Sequence, residues 1–330
     1  MRRWLAFSLL LLAGTFLAVR AAEEKKERQT FLTAEKAGPD FAIQGEYVGE
    51  IAGSGKLGAQ VIADGGGQFT IWLLSGGLPG EGWDGRTQTK LSAKTESSKT
   101  TISGKALPAL ADLTGEIGDG QLTLSHSSHN VTLKRVVRES KTMGAKPPQG
   151  AIVLFDGTSA DEWNGGKLVE DNLLQMGVVS KKAFKDFKLH IEFRLAFMPY
   201  ARGQGRSNSG VYVQDRYEVQ VLDSFGLKGL DNECGGIYHQ IGPSVNMCYP
   251  PLSWQTYDID FKAARFDQNG RKTANALITV VHNGVTVHNH LELSGPTPGG
   301  KKEEDTAGPI QLQNHGNPVY YRNIWAVETK

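Results

Sequence analysis

From Phe41 onward, short runs of alternating apolar and polar residues are separated by glycine. FAIQGEYVGEI (residues 41–51), LGAQVIAD (57–64) and QFTIWLLS (68–75) read as strands, and KTTISG, GQLTLSH and NVTLKRVVR carry the pattern to about Arg138. Residues two apart on a strand share a face. The repetition over residues 41–138 therefore predicts a small all-β module, barrel or sandwich. Within it SGGLPGEGWDG (75–85) is a glycine-rich loop carrying Trp83, either a binding loop with an aromatic platform or a loop with its own tucked-in tryptophan. ESKTMGAKPPQG (139–150) has no periodicity and reads as an inter-domain linker.

Beyond the linker the strand signals return in AIVLFDG, FKLHIEFRL, SGVYVQD, YEVQVLD, QTYDIDFKAARF, NALITVVHNGVTVHNH, GPIQLQN and VYYRNIWAVE. Many alternating strands with no amphipathic helix between them predict an antiparallel sandwich over residues 151–330. Asn283-Gly284 between β-rich runs marks a type I′ hairpin. Glycine, at 40 of 330 residues, fits a chain of many tight turns.

The N-terminus changes the picture of where the protein works. Arg2 and Arg3 precede an apolar stretch, and Val19-Arg20-Ala21 ends it with a small-residue cleavage site. The stretch is short for a membrane span, so residues 1–21 read as a signal peptide. Residues 22–40 then form a mobile leader on an exported chain, periplasmic or secreted. Losing Arg2, Arg3 and Arg20 takes the formal charge from +1 to −2. That balance, without a basic block, argues against nucleic acid or a membrane surface as partner. Cys234 and Cys248 are the only cysteines, and in an exported chain they are a disulfide candidate closing a 15-residue loop, worth about 3 kcal/mol. The residues call for no cofactor. No metal cluster is legible, and a structural calcium on a loop stays open without a dense Asp/Asn loop to hold it.

Candidate chemistry sits in RYEVQVLDS (216–224). Tyr217, Val219 and Val221 mark one face of this strand, and Glu218 and Gln220 the other. By the same parity, Asn208, Gly210, Tyr212 and Gln214 lie opposite Val211 and Val213, while Gln311, Gln313 and His315 lie opposite Ile310 and Leu312. Amides donate and accept at once and aromatics stack on apolar sugar faces, so this set suits sugar hydroxyls. Gly210 leaves room for a ligand to approach the backbone.

Six segments in order make the second half similar to a known family. They are LFDGTSADEW (154–163), FKDFKLHIEFRL (184–195), SNSGVYVQDRYEVQVLDS (207–224), PPLSWQTYDIDF (250–261), VVHNGVTVHN (280–289) and GPIQLQNHGNPVYYRNIWAVE (308–328). In these the chain resembles the 3-keto-disaccharide hydrolase family, formerly a domain of unknown function. The resemblance implies a concanavalin-A-like jelly roll whose concave face binds carbohydrate. It also implies cleavage of a 3-keto-disaccharide: a base removes the C2 proton, the C1 substituent leaves, and water adds to the enone. Glu218 is the first choice for the base, with His315 or His239 as acid or alternative base. Gln220, Gln313 and Asn208 are the neutral donors for the developing enolate.

Two other readings remain. Glu218 and Asp223 resemble the outer acids of jelly-roll glucanases, but a bulge must bring Asp223 to the face of Glu218, and Gln220 stands where a third acid would be. A lectin-like module without catalysis would use the same amides and aromatics. The segment ECGGIYHQIGPSVNMCYPPLSWQ (233–255) is expected to wall one end of the groove, with Tyr238, His239 and Trp254 as candidate contacts. Asp223 otherwise orients a histidine or binds a hydroxyl, and Arg322 pairs with a strand carboxylate.

Overall fold

The computed structural model describes residue 26 and residues 28–104, 112–127 and 129–329. The expected signal peptide, residues 1–21, and the start of the leader lie outside them. No helix among the described residues is long and apolar enough to cross a membrane.

Alternation in the first half closes into a barrel. Its strands, Gly45–Ile51, Gly55–Gly65, Gln68–Ser75, Gln88–Glu96, Lys99–Ser103, Thr114–Gly118, Gln121–His126 and His129–Val136, pair antiparallel in chain order, and the first also pairs with the last. Closure leaves no strand edge unpaired. Inside pack Tyr47, Val61, Phe69, Ile71, Leu122 and Leu133. The loop carrying Trp83 serves the fold: Leu78 is buried, the half-buried Trp83 donates from its indole to the Thr87 carbonyl, and a Cβ on Gly80 would lie 2.8 Å from Met247 Sδ of the second half.

The second half is a sandwich of a five-stranded and an eight-stranded sheet. Val211, Val219 and Leu312 of the smaller sheet pack with Phe193, Tyr257, Val280 and Tyr321 of the larger. The hairpin between Ala276–His282 and Val285–Leu293 turns through Asn283 and Gly284 at φ 51° and 79°. Positive φ at both positions is the geometry that a two-residue I′ turn requires.

Barrel and sandwich are packed together. Arg138 holds Glu46 of the barrel through two hydrogen bonds of 2.6 and 2.7 Å, and its guanidinium lies 4.8 Å from the Tyr249 ring. The segment read as a linker is docked on the outer face of the larger sheet. Thr142 donates to Asp258 (2.6 Å), the Gly144 N–H to Glu192 (2.7 Å), and Asn323 and Trp325 donate to the Ala145 carbonyl. Buried Glu192 is nevertheless held down to about 2, because hydrogen bonds from His190, Asn323, Arg322 and the Gly144 N–H outweigh the cost of burial. Side chains on the sheet make these bonds, which is why linker composition alone missed the docking.

The Cys234–Cys248 disulfide expected above is absent. Both residues are buried thiols: Cys234 Sγ lies 3.1 Å from the Tyr257 hydroxyl, and Cys248 Sγ donates to the Leu222 carbonyl at 3.6 Å. Burial, with Cys234 alongside, pushes the Cys248 thiol up.

Candidate functional site

The strands Asn208–Val213 and Tyr217–Leu222 pair with Gly210 opposite Gln220 and Tyr212 opposite Glu218. On the other side Tyr212 faces Gln311, and the Gln313 N–H donates to the Gly210 carbonyl. Beyond Glu218, Ile237 bridges Val219 and the Tyr238 N–H donates to the Glu218 carbonyl at 3.1 Å. Two rows therefore cross the face turned away from the core. One runs Gln311, Tyr212, Glu218, Tyr238; the other runs Gln313, Gly210, Gln220. Parity placed Tyr212, Glu218, Gln220, Gln311 and Gln313 together, and the backbone of the 233–255 segment adds Tyr238.

Glu218 is 1 % exposed. Its Oε2 accepts from the Tyr212 hydroxyl at 2.8 Å, while Oε1 is buried with no partner among the described residues. Burial pushes this carboxyl up to about 7, a rise that the Tyr212 hydrogen bond only partly offsets. The phenol carries one proton but faces two acceptors, since the Pro298 carbonyl is 3.0 Å away. With Glu218 ionised the proton points to the carboxylate. With Glu218 protonated it can turn to Pro298 and accept from the acid. Burial and the neighbouring carboxylate both raise Tyr212, so it stays a phenol.

The space above Gly210 is not empty. A Cβ there would meet Glu218 Oε1 at 2.0 Å and Cγ at 2.8 Å. The glycine thus leaves room for the carboxylate of Glu218, where the sequence reading placed a ligand.

Sequence reasoning missed the residue that orients the amides, Gln204. Its carbonyl and Oε1 accept from Asn208 Nδ2 at 2.9 and 3.1 Å, and its Oε1 also accepts from Gln220 Nε2 at 3.3 Å. Gln220 Oε1 in turn accepts from the Val221 N–H. Asn208 therefore spends both of its N–H groups on Gln204, while Gln220 spends one of its two. Asn208 Oδ1 and Gln313 Oε1 are buried without partners, like Glu218 Oε1. Buried polar atoms are seldom left unpaired, so these three acceptors mark a site that wants hydroxyl donors. The signal for Gln204 was faint, a lone amide in a glycine-rich turn just before the strand.

Other candidates lie elsewhere. The strand ends at Leu222 without a bulge, and Asp223 turns to Arg206 (2.8 and 3.3 Å) and the Phe225 N–H. It is neither the partner acid of Glu218 nor a support for a histidine. Arg206→Ala would leave this buried carboxylate unpaired and is expected to cost about 3–5 kcal/mol, read as a lower urea midpoint. His315 and His239 are exposed, and neither has a hydrogen-bond partner among the described residues. His239 meets Tyr238 edge to face at 4.4 Å, with φ 57° turning its chain outward. Trp254 belongs to the larger sheet, between Phe187–Leu195 and Ala276–His282, and not to this face. Arg322 pairs with Glu192 at 2.6 Å.

Residues 150–327 match the 3-keto-alpha-glucoside-1,2-lyase-like domain. A crystal structure from Parabacteroides distasonis ATCC 8503, described as a "putative glycosyl hydrolase", is 34 % identical, with a TM-score of 0.50 over 55 % of this chain and 85 % of that one. Two further structures of the same description and organism are 18 % and 20 % identical, cover 55 % and 54 % of this chain and 95 % and 99 % of theirs, and have TM-scores of 0.42 and 0.39. No curated protein matches.

Proposed function

Because the chain belongs to the 3-keto-alpha-glucoside-1,2-lyase-like family, we propose that its sandwich cleaves 3-keto-glycosides by elimination, with Glu218 as the base. It is a carbohydrate-active, glycoside hydrolase-like enzyme. The observation that carries the finer reading is the free Oε1 of Glu218, a buried carboxylate oxygen near its titration midpoint at neutral pH, beside two more unpartnered acceptors. A base poised near the working pH is the most effective.

The ketone at C3 acidifies the C2 hydrogen. Glu218 Oε1 takes that proton, and the C2–H electron pair forms the enolate with C3=O. The pair then returns to form the C1–C2 double bond as the C1–O bond breaks. The departing oxygen takes a proton from the more open end of the row, where half-buried Tyr238 stands beside Glu218. Addition of water to the enone completes net hydrolysis. Tyr212 holds the carboxylate, while Asn208 Oδ1 and Gln313 Oε1 accept from sugar hydroxyls. Asp223, engaged by Arg206, supports a one-base route better than a two-carboxylate hydrolysis.

Export through the N-terminal segment is part of the same proposal, placing the enzyme among extracellular or periplasmic glycans. Purified protein is expected to release monosaccharide from a 3-keto-disaccharide and not from its unoxidised parent. Release from the parent at a comparable rate would overturn the elimination reading. Because the base must be ionised, kcat/KM should rise with pH and level off above about 7. A profile already flat from pH 5 would assign the base elsewhere.

A further inference from the structure

Trp254 was expected at the sugar site and lies instead on the outward face of the larger sheet. There Arg194 pairs across the backbone with Trp254 on one side and Tyr320 on the other. Its guanidinium carbon is 5.1 Å from the Trp254 ring and 5.7 Å from that of Tyr320, and the Arg322 guanidinium lies 4.0 Å from Trp254. Arg322 is tied to Glu192, but Arg194 has no hydrogen-bond or ion-pair partner among the described residues. Burial disfavours its charge, only partly relieved by Asp171. A half-buried guanidinium with its donors unused is costly, and stacking on the rings fixes the direction in which those donors point.

Two cavities meet at Arg194 and Asp171. One, of about 450 Å³, runs over Trp254 and Arg322 to Asp156, Thr158 and Asn172. The other, of about 500 Å³, occupies the seam between barrel and sandwich and is walled by Phe41, Arg135, Val137 and Leu252. Val137 is 82 % exposed within it. Asp171 and Asn172 are consecutive residues in the left-handed region, at φ 61° and 55°, which aspartate and asparagine adopt more readily than other side chains. Seams between domains are favoured places for ligands.

We propose that this seam is a second, non-catalytic carbohydrate site that holds a neutral oligosaccharide. The donors of Arg194 meet sugar hydroxyl and ring oxygens, the carboxylates of Asp156 and Asp171 accept from hydroxyls, and Phe41, Val137 and Leu252 cover apolar sugar faces. The ligand is a neutral rather than an acidic glycan because the site carries no excess of positive charge. Arg322 is matched by Glu192 and Arg138 by Glu46, which leaves Arg194 and Arg135 against Asp156, Asp171 and Glu35, a slight acidic excess that disfavours an anionic glycan. Two joined cavities suit a chain of several sugars rather than a single ring. Strand parity places this site on the side of the sandwich opposite Glu218. It binds glycan that has not been oxidised, independently of the elimination chemistry.

The test uses the full chain carrying Glu218→Gln, titrated calorimetrically with unoxidised cellopentaose, maltopentaose and xylopentaose. At least one is expected to bind, and adding Arg194→Met, which keeps the apolar stem, should weaken that binding tenfold or more. Arg194→Met in the otherwise wild-type chain should turn over a 3-keto-disaccharide at the normal rate, which separates this site from the catalytic one. Absence of binding by all three pentaoses would overturn the proposal, as would binding indifferent to Arg194→Met. Binding abolished by Tyr212→Phe with Arg194 intact, or a preference for polygalacturonate over the neutral chains, would also overturn it.

Discussion

Glu218→Gln is expected to slow turnover of a 3-keto-disaccharide by about 10²–10⁴, the usual contribution of a general base, while making the folded protein more stable in mild alkali. The second half follows from linkage. Folding raises this carboxyl from its ordinary 4.5 to about 7, so between those values the folded state binds more protons than the unfolded one. Stability therefore falls as pH rises through that window, and the loss is complete above the folded value. At 1.36 kcal/mol per unit the cost approaches about 3 kcal/mol. A glutamine escapes it and offers an N–H where Oε1 now has no partner. Urea denaturation at pH 8 should show a higher midpoint for the variant and at pH 4.5 little difference. A variant that loses activity and is also less stable at pH 8 would mean that Glu218 is a structural carboxylate. Sites that trade stability for chemistry behave in the first way.

Gly210→Ala should be nearly as damaging to activity, for a steric reason. The added methyl would lie 2.0 Å from Oε1 and 2.7 Å from the carboxyl carbon of Glu218. The carboxylate must therefore leave its place above Gly210. Turnover should slow about a hundredfold or more, set by the sensitivity of catalysis to misplacement of about 1 Å. The stability cost should be about 1–3 kcal/mol, typical of overpacking. Gly210 has an ordinary strand conformation, without a positive φ, so the effect comes from crowding. Full activity in a folded Gly210→Ala protein would show that the carboxylate need not sit above this residue.

The fold was largely legible because alternation has a physical cause. Tyr217, Val219 and Val221 point to the core and Glu218 and Gln220 away from it, as period two demands. Asn283-Gly284 announced its turn because few residue pairs tolerate two positive φ values. The groups that bear on Glu218 were legible only in part. Parity brought Tyr212, Gln311 and Gln313 to its side, and the 233–255 segment offered Tyr238, but Gln204 and Pro298 reach the face from loops through contacts with no sequence period. Asp223 depended on where the strand stops, and Arg206 was the unforeseen partner that holds it. His315 and His239 carry suitable chemistry but sit in exposed loops whose direction spacing cannot give. Trp254 was misjudged because residues adjacent in the chain, 233–255, bridge from one sheet to the other.

The central claim is that the C2 hydrogen is removed by Glu218. A 3-keto-disaccharide deuterated at C2 tests it directly, with the label followed by NMR in ordinary water. Proton removal by Glu218 predicts that the released keto-sugar has lost its deuterium, that release is slowed by the label, and that Glu218→Gln slows product release and loss of label together, by about 10²–10⁴. Release of a keto-sugar that keeps its C2 deuterium would contradict elimination and point to direct cleavage of the glycosidic bond.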